Sequence, residues 1–192
     1  MGNRGQGNPE VPAGGEGTHS LRLFFALWPN ARVQAGLDHA AERLEALCGG
    51  RRTPTEKIHL TLTFLGEMEA TRLDALRSAA AEVKGPAFDL NFSKLGWWRH
   101  NRVAWAAPEE VPPALALLVN NLRSALRQAG FPFDQKACLP HATLLRKANC
   151  RELAALSEPI PWRVDEFVLV RSRLDRSGSE YEIVGRWPLT AD

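Results

Sequence analysis

Hydrophobic and polar positions alternate along two short stretches of the chain, and each stretch contains a histidine followed two residues later by a threonine. The first stretch is IHLTLTFL at 58–65 and the second is HATLLR at 141–146. Because side chains of a β-strand point alternately to opposite faces, we expect two strands with one polar face each. The polar faces are predicted to carry His59, Thr61 and Thr63 on the first strand, and His141 and Thr143 on the second.

The remaining apolar positions predict the same order of elements in both halves of the chain. A run at 21–29 predicts a buried strand. Helical spacing follows it, with a cap at Asn30, an end at Gly49-Gly50, and an apolar face of Val33, Leu37, Leu44 and Leu47. Further helices are predicted at 70–83, 112–130 and 151–156. Further strands are predicted at 88–99, 102–108, 162–174 and 180–189.

Each half therefore has the order strand, helix, H-x-T strand, helix, hairpin. Pro29 and Pro108 end equivalent strands 79 residues apart, and His59 and His141 lie 82 residues apart. We predict an α+β fold of two pseudo-symmetric lobes, each a mainly antiparallel sheet with helices packed outside, enclosing a central cleft. The repeat would bring the two H-x-T motifs face to face in that cleft.

Composition narrows the possible partners. Of 192 residues, 44% are apolar and 24% charged, and the net charge is +2, which argues against binding of long duplexes through a strongly basic face. A small anionic substrate, or the end of a nucleic acid, fits this charge. Residues 1–19 are rich in glycine, proline and polar residues. They are predicted to be a disordered tail before a single bilobal domain at 20–192.

The cysteines and the hydropathy pattern bear on location. Cys48, Cys138 and Cys150 are odd in number and form no C-x-x-C pair, so we expect reduced thiols rather than a disulfide framework or a zinc site. No apolar run reaches membrane-spanning length, and the first residues lack the apolar core that is typical of a secretory signal. These features predict a cytoplasmic protein that does not bind membranes, and we expect a monomer.

Two histidines on facing strands favour acid–base chemistry. Imidazole titrates near pH 6.5, so one ring can accept a proton while the other donates one. The hydroxyls of Thr61 and Thr143 can donate hydrogen bonds to an anion held between the strands. Either motif alone is more typical of a structural strand, but two matched motifs in a repeat favour a site. No acidic or cysteine cluster accompanies them, so we expect no metal and no cofactor.

The motifs HLTLTFLG and HATLLR, with RLFFALWP before them and VLVRSRLDRSGSEYEIVGRWPL after them, resemble the two-histidine (2H) phosphoesterase superfamily. The similarity is to its RNA 2′,3′-cyclic phosphodiesterase branch, also called 2′-5′ RNA ligase-like. This resemblance implies metal-independent opening of a 2′,3′-cyclic phosphate at an RNA end, or in a small cyclic nucleotide, to leave a 2′-phosphate. Ligation through a 2′-5′ bond and a non-catalytic nucleotide- or RNA-binding module are the alternatives.

The resemblance also implies residue roles. His59 would be the general acid and His141 the base, although pseudo-symmetry makes these roles exchangeable. Thr61, Thr143 and Arg146 would hold the phosphate oxygens. Strict strand alternation points Arg146 away from His141, so its role needs a twist or a bulge. Trp97 and Trp98 are candidates for stacking on a base; since they are adjacent, they should face opposite ways.

Overall fold

The structure, a computed structural model, describes residues 20–136, 139–153, 155–175 and 178–190; the predicted tail at 1–19 lies outside them. The helices are α1 (Ala31–Cys48), α2 (Leu73–Ala81) and α3 (Pro113–Gln128). The strands are β1 (Ser20–Leu27), β2 (Arg51–Arg52), β3 (Leu60–Glu69), β4 (Phe88–Trp98), β5 (Val103–Pro108), β6 (Ala142–Arg146), β7 (Ile160–Val164), β8 (Glu166–Asp175) and β9 (Gly178–Pro188).

The strands form one antiparallel sheet whose two halves repeat each other. Its order is β7-β4-β5-β6-β3-β1-β8-β9, with β2 pairing separately to β6. Read outward from the middle, β6-β5-β4-β7 and β3-β1-β8-β9 have matching positions, which confirms the predicted fold of two pseudo-symmetric lobes. The lobes join into a continuous sheet through β3 and β6, where Leu60 lies opposite Ala142.

The helices tie the two lobes together. The Asn30 side chain accepts a hydrogen bond from the Val33 amide (3.1 Å) and so caps α1, as its position predicts. Although α1 follows β1, it packs against β6 and β7 of the other lobe, and α3 contacts β3. The helix stripes and one sheet face form a single core. Leu47, which the sequence pattern predicts on the buried, apolar face of α1, is instead 57% exposed. No helix among the described residues is long and apolar enough to cross a membrane.

Two sequence predictions in the C-terminal third were wrong. No helix forms in the described part of 151–156. The predicted strand at 162–174 is two strands, because the chain leaves one edge of the sheet at Asp165 and re-enters it in the other lobe. There β7 pairs with β4 and β8 pairs with β1. Periodicity does not report which neighbour a strand pairs with, so it could not show this break.

The prediction that the cysteines are reduced thiols was also wrong for two of them. Cys48, at the end of α1, and Cys150, after β6, form a disulfide that spans 102 positions of sequence. Both residues are buried. In the chain-entropy description, closing a loop of this length lowers the entropy of the unfolded chain and so raises the free energy of unfolding by roughly 5 kcal/mol. Cys138 lies outside the described residues.

One close contact in the β4–β5 hairpin leaves no room for a side chain at Gly96. Gly96 lies opposite Trp105, and a Cβ atom added at Gly96 would stand 2.1 Å from the indole ring. We expect Gly96→Ala to lower the free energy of unfolding by about 1–3 kcal/mol, because the ring must move out of a packed site. Urea denaturation followed by circular dichroism measures this loss.

Gly85→Ala is the matched control, because its added Cβ would meet Leu189 at an ordinary 3.8 Å. Equal unfolding free energies for the Gly96→Ala variant and the control would contradict the packing described here.

Candidate active site

The junction of the two lobes brings the two H-x-T motifs together. Leu60 on β3 lies opposite Ala142 on β6 in an antiparallel ladder. Extending this register by one residue in each direction puts His59 opposite Thr143 and Thr61 opposite His141. The four side chains therefore share one face of the sheet, with the histidines on one diagonal and the threonines on the other. All four are half-buried.

A matching irregularity breaks the alternation of both strands. Two consecutive residues of β1 pair with Thr61 and Thr63 of β3, so Leu62 is an extra residue in β3. In the same way, two consecutive residues of β5 pair with Thr143 and Leu145 of β6, so Leu144 is an extra residue in β6. The two bulges lie 82 positions apart, as the histidines do.

The bulges reverse the facing of the residues that follow. Thr63, predicted beside His59, is instead buried on the core side, and Phe64 turns outward and is 48% exposed. On β6, Leu144 and Leu145 are both buried and Arg146 is exposed. The bulge that the role of Arg146 required is thus present.

The backbone of each histidine's own segment orients its ring. His59 Nδ1 lies 2.7 Å from the Lys57 carbonyl oxygen, and His141 Nδ1 lies 2.7 Å from the Leu139 carbonyl oxygen. Since a carbonyl oxygen only accepts, each Nδ1 carries the hydrogen and donates it. The neutral rings therefore present Nε2 as the atom for proton exchange.

Aromatic rings surround His59. The Trp28 ring stacks on the imidazole with a centroid distance of 5.1 Å, and those of Phe24 and Tyr181 lie 5.0 Å and 5.2 Å away. Phe24 belongs to a small apolar cluster on this face of the sheet, separate from the main core. These rings exclude water from one side of His59.

His141 has a different surrounding. Trp98 contacts it edge-on, with a centroid distance of 4.6 Å. Of the tryptophans predicted to stack on a base, Trp98 is therefore brought beside a histidine of the site. Trp97 packs against the main core, and its Nε1 is buried, so the structure does not bring it there.

Burial and charge lower the pKa of both histidines. Loss of solvation lowers the pKa of His59 from 6.5 to about 4, against the opposing hydrogen bond to Lys57; the charges of Arg146 and His141 also lower it. Burial lowers the pKa of His141 as well, against its bond to Leu139, and the charge of Arg146 adds to this effect. Both rings are therefore harder to protonate in the free protein than an imidazole in water.

Arg146 is the cation of this site. Its positive charge lowers the pKa of both imidazoles, and the bulge at Leu144 leaves Arg146 on the exposed side of β6. None of the ion pairs between described residues involves Arg146, in contrast to Arg171 and Arg173, which pair with Glu182. Among the described residues, no group of three or more His, Cys, Asp or Glu side chains is arranged to hold a metal ion.

Phe64 is the residue of the site that the sequence pattern alone puts on the wrong face of β3. Its ring lies 5.7 Å from that of Phe24, which in turn contacts His59. In the repeat Phe64 is the counterpart of Arg146, since each stands five residues after its histidine. That equivalence is the one signal by which the sequence could have placed it in the cleft.

Comparison with known proteins agrees with this geometry. The sequence model of the LigT-like phosphoesterase family matches residues 27–105 and again 106–181, one match for each half of the chain. The RNA 2′,3′-cyclic phosphodiesterase of Escherichia coli is 33% identical over 88% of this chain and 97% of its own length. That of Thermus thermophilus is 28% identical over 90% and 92%.

Solved structures show the same relation. E. coli LigT in its apo form superposes with a TM-score of 0.80 at 32% identity, covering 89% of this chain and 98% of LigT. LigT complexed with 3′-AMP has the same TM-score and identity. With both halves matched and the lobes superposed, the chain belongs to the LigT-like phosphoesterase family, within the two-histidine phosphoesterases.

Proposed function

We propose that this protein hydrolyses the 2′,3′-cyclic phosphate at an RNA end to a 2′-phosphate, without a metal ion. One observation carries the proposal: two imidazoles, each held by its Nδ1 to its own segment, lie diagonally across one strand pair beside a shared arginine. This arrangement suits proton transfer on two sides of one anion. The names of the relatives support the substrate class.

The reaction balances with these groups and one water. The base takes a proton from water, whose oxygen forms a bond to phosphorus while the bond from phosphorus to O3′ breaks. The acid gives its proton to O3′, and the phosphate stays on O2′. Thr61 and Thr143 donate hydrogen bonds to the non-bridging oxygens, and Arg146 offsets their charge.

The lowered pKa of His59 bears on its role as the acid. The family resemblance gives that role to His59, whose pKa burial lowers to about 4 in the free protein. With His59 as acid, the protonated form that reacts is therefore a minor state of the free protein at neutral pH. The negative charge of a bound cyclic phosphate raises the pKa of both rings and increases protonation of His59.

Two aromatic side chains are placed to meet the nucleoside. Phe64 is exposed beside the aromatic group around His59, so its face is available for stacking on a base. Trp98 lies against His141, and we propose that its exposed part adds a second stacking surface. RNA ends and small cyclic nucleotides share the terminal phosphate and base that these groups contact.

Loss of either histidine should abolish most turnover. We expect His59→Ala and His141→Ala each to lower kcat/KM for 2′,3′-cyclic AMP by about 10²- to 10⁴-fold, the usual contribution of a general acid or base. Hydrolysis is followed by chromatography in excess chelator. His39→Ala is the matched control, because His39 lies on α1 with 71% of its side chain exposed.

Full activity in either active-site variant would rule out the two-histidine mechanism, and loss of wild-type activity in chelator would indicate a metal. Chromatography also separates the alternatives. Joined RNA from a 5′-hydroxyl fragment would show ligation, and binding of the cyclic phosphate without any product would show a binding module.

An activated leaving group should identify the acid. Thymidine 3′-(4-nitrophenyl phosphate) releases nitrophenolate, which needs no proton, so the variant lacking the acid should retain far more of the wild-type rate on it than on cyclic AMP. If His59 is the acid, His59→Ala shows this recovery and His141→Ala does not. Recovery in His141→Ala alone would exchange the two roles.

Removal of Arg146 should raise the pKa of both histidines, because its positive charge disfavours their protonated forms. Wild-type protein should show an imidazole titrating at about 4 for His59 and another below 6.5 for His141 in NMR titrations. In Arg146→Ala both midpoints should rise. The neighbouring Lys147→Ala controls for loss of a cation at the end of β6; equal shifts in both variants would contradict the placement of Arg146.

A further inference from the structure

The four residues directly after Arg146, Lys147–Cys150, form no helix or strand, and we call them the anchor segment. Side-chain and backbone contacts hold them nonetheless. The Arg102 guanidinium donates to the carbonyl oxygens of Lys147 (3.0 Å) and Ala148 (3.3 Å), and the Ala148 amide donates to the Arg102 carbonyl (3.0 Å). Arg102 reaches this position with a left-handed backbone, at φ 57°.

The end of α1 holds the same segment from the other side. The Asn149 amide donates to the Cys48 carbonyl (2.9 Å), and the disulfide joins Cys48 to Cys150. A Cβ atom on Gly50 would stand 2.7 Å from the Arg146 carbonyl oxygen. Glycine at φ 100° allows this approach. The disulfide thus connects α1 to the backbone that immediately follows the cation of the site.

Few other restraints act on the end of β6. Arg146 is the last residue of its strand and pairs with Val103 and Arg51, the latter in the two-residue strand β2. Arg146 is exposed, and none of the ion pairs between described residues involves it. The direction of the side chain therefore depends on where the anchor segment holds its backbone.

We propose that Cys48 and Cys150, through their disulfide, and Arg102, through its guanidinium, are positioning residues for Arg146. Breaking the disulfide should therefore weaken binding of the anionic substrate. The proposal rests on the function proposed above, in which Arg146 binds the phosphate. In the reduction step, the sulfur–sulfur bond takes two electrons and two protons from a dithiol reductant. The products are two cysteine thiols and the reductant's own disulfide.

The test compares oxidised wild-type protein with the double variant Cys48→Ser/Cys150→Ser, using 2′,3′-cyclic AMP as substrate. We expect KM to rise about tenfold with a smaller change in kcat, because the misplaced cation mainly affects binding of the phosphate. Protein reduced with dithiothreitol should behave as the double variant does. Cys138→Ser in the oxidised protein is the control and should leave KM unchanged.

A second background separates positioning from general loosening of the fold. In Arg146→Ala the disulfide should no longer matter, so adding Cys48→Ser/Cys150→Ser should leave KM as it is. A further rise of the same size there, or an unchanged KM in the double variant alone, would overturn the proposal. Absence of hydrolysis by oxidised wild-type protein would instead overturn the proposed function.

Arg102→Gly provides a variant that keeps the disulfide. Glycine accepts the left-handed backbone of Arg102 without strain and keeps the carbonyl that accepts from Ala148, while both guanidinium hydrogen bonds to the anchor segment are lost. We expect KM to rise in the same direction as for the disulfide variant, even if that variant folds poorly. Asn101→Gly, in the same turn, is the control, and equal KM values for the two glycine variants would count against the proposal.

Discussion

Antiparallel pairing of β3 with β6, at Leu60 and Ala142, is the contact on which the geometry of the site depends. A slip of one residue in this register would turn one histidine to the core and leave the other in the cleft. The contact is short, and the helices stabilise it from behind, because α1 packs against β6 and α3 contacts β3. Each lobe therefore holds the strand that the other lobe needs as its partner.

The paired bulges at Leu62 and Leu144 are the second constraint. Each buries two successive residues and turns the next one outward. In one lobe that next residue is an aromatic ring, Phe64, and in the other it is a cation, Arg146. The same backbone irregularity thus turns two chemically different side chains outward, and this difference suits the proposed substrate, which has a base at one end and a phosphate at the other.

The surroundings of the two histidines break the symmetry that their backbones share. His59 lies among the rings of Trp28, Phe24 and Tyr181, whereas His141 meets the edge of Trp98. Burial lowers both pKa values, and the positive charge of Arg146 lowers them further. The Arg146 cation and two neutral imidazoles favour an anion in the cleft, and in the proposed reaction the bound anion would raise the pKa of the histidine that acts as the acid.

Much of this protein follows from its sequence by itself. The helix periodicity, the cap at Asn30, the two H-x-T motifs and the repeat that relates them are local patterns, and local patterns determine elements and the lobes they build. The fold class and the family follow from them. Cytoplasmic location and a monomeric state stay predictions, and the cysteine argument for the former no longer holds, because Cys48 and Cys150 are bonded.

Other features depend on pairing partners that lie far apart in the chain, so only the tertiary structure decided them. A bulge is a mismatch between two strands, and neither strand's own pattern contains it; this is why Thr63 and Phe64 exchanged faces. The break at Asp165 and the meeting of Cys48 with Cys150 likewise depend on where β7 and the anchor segment find their neighbours. The sequence determined which groups could do the chemistry, and long-range contacts decided which of them face the same cleft.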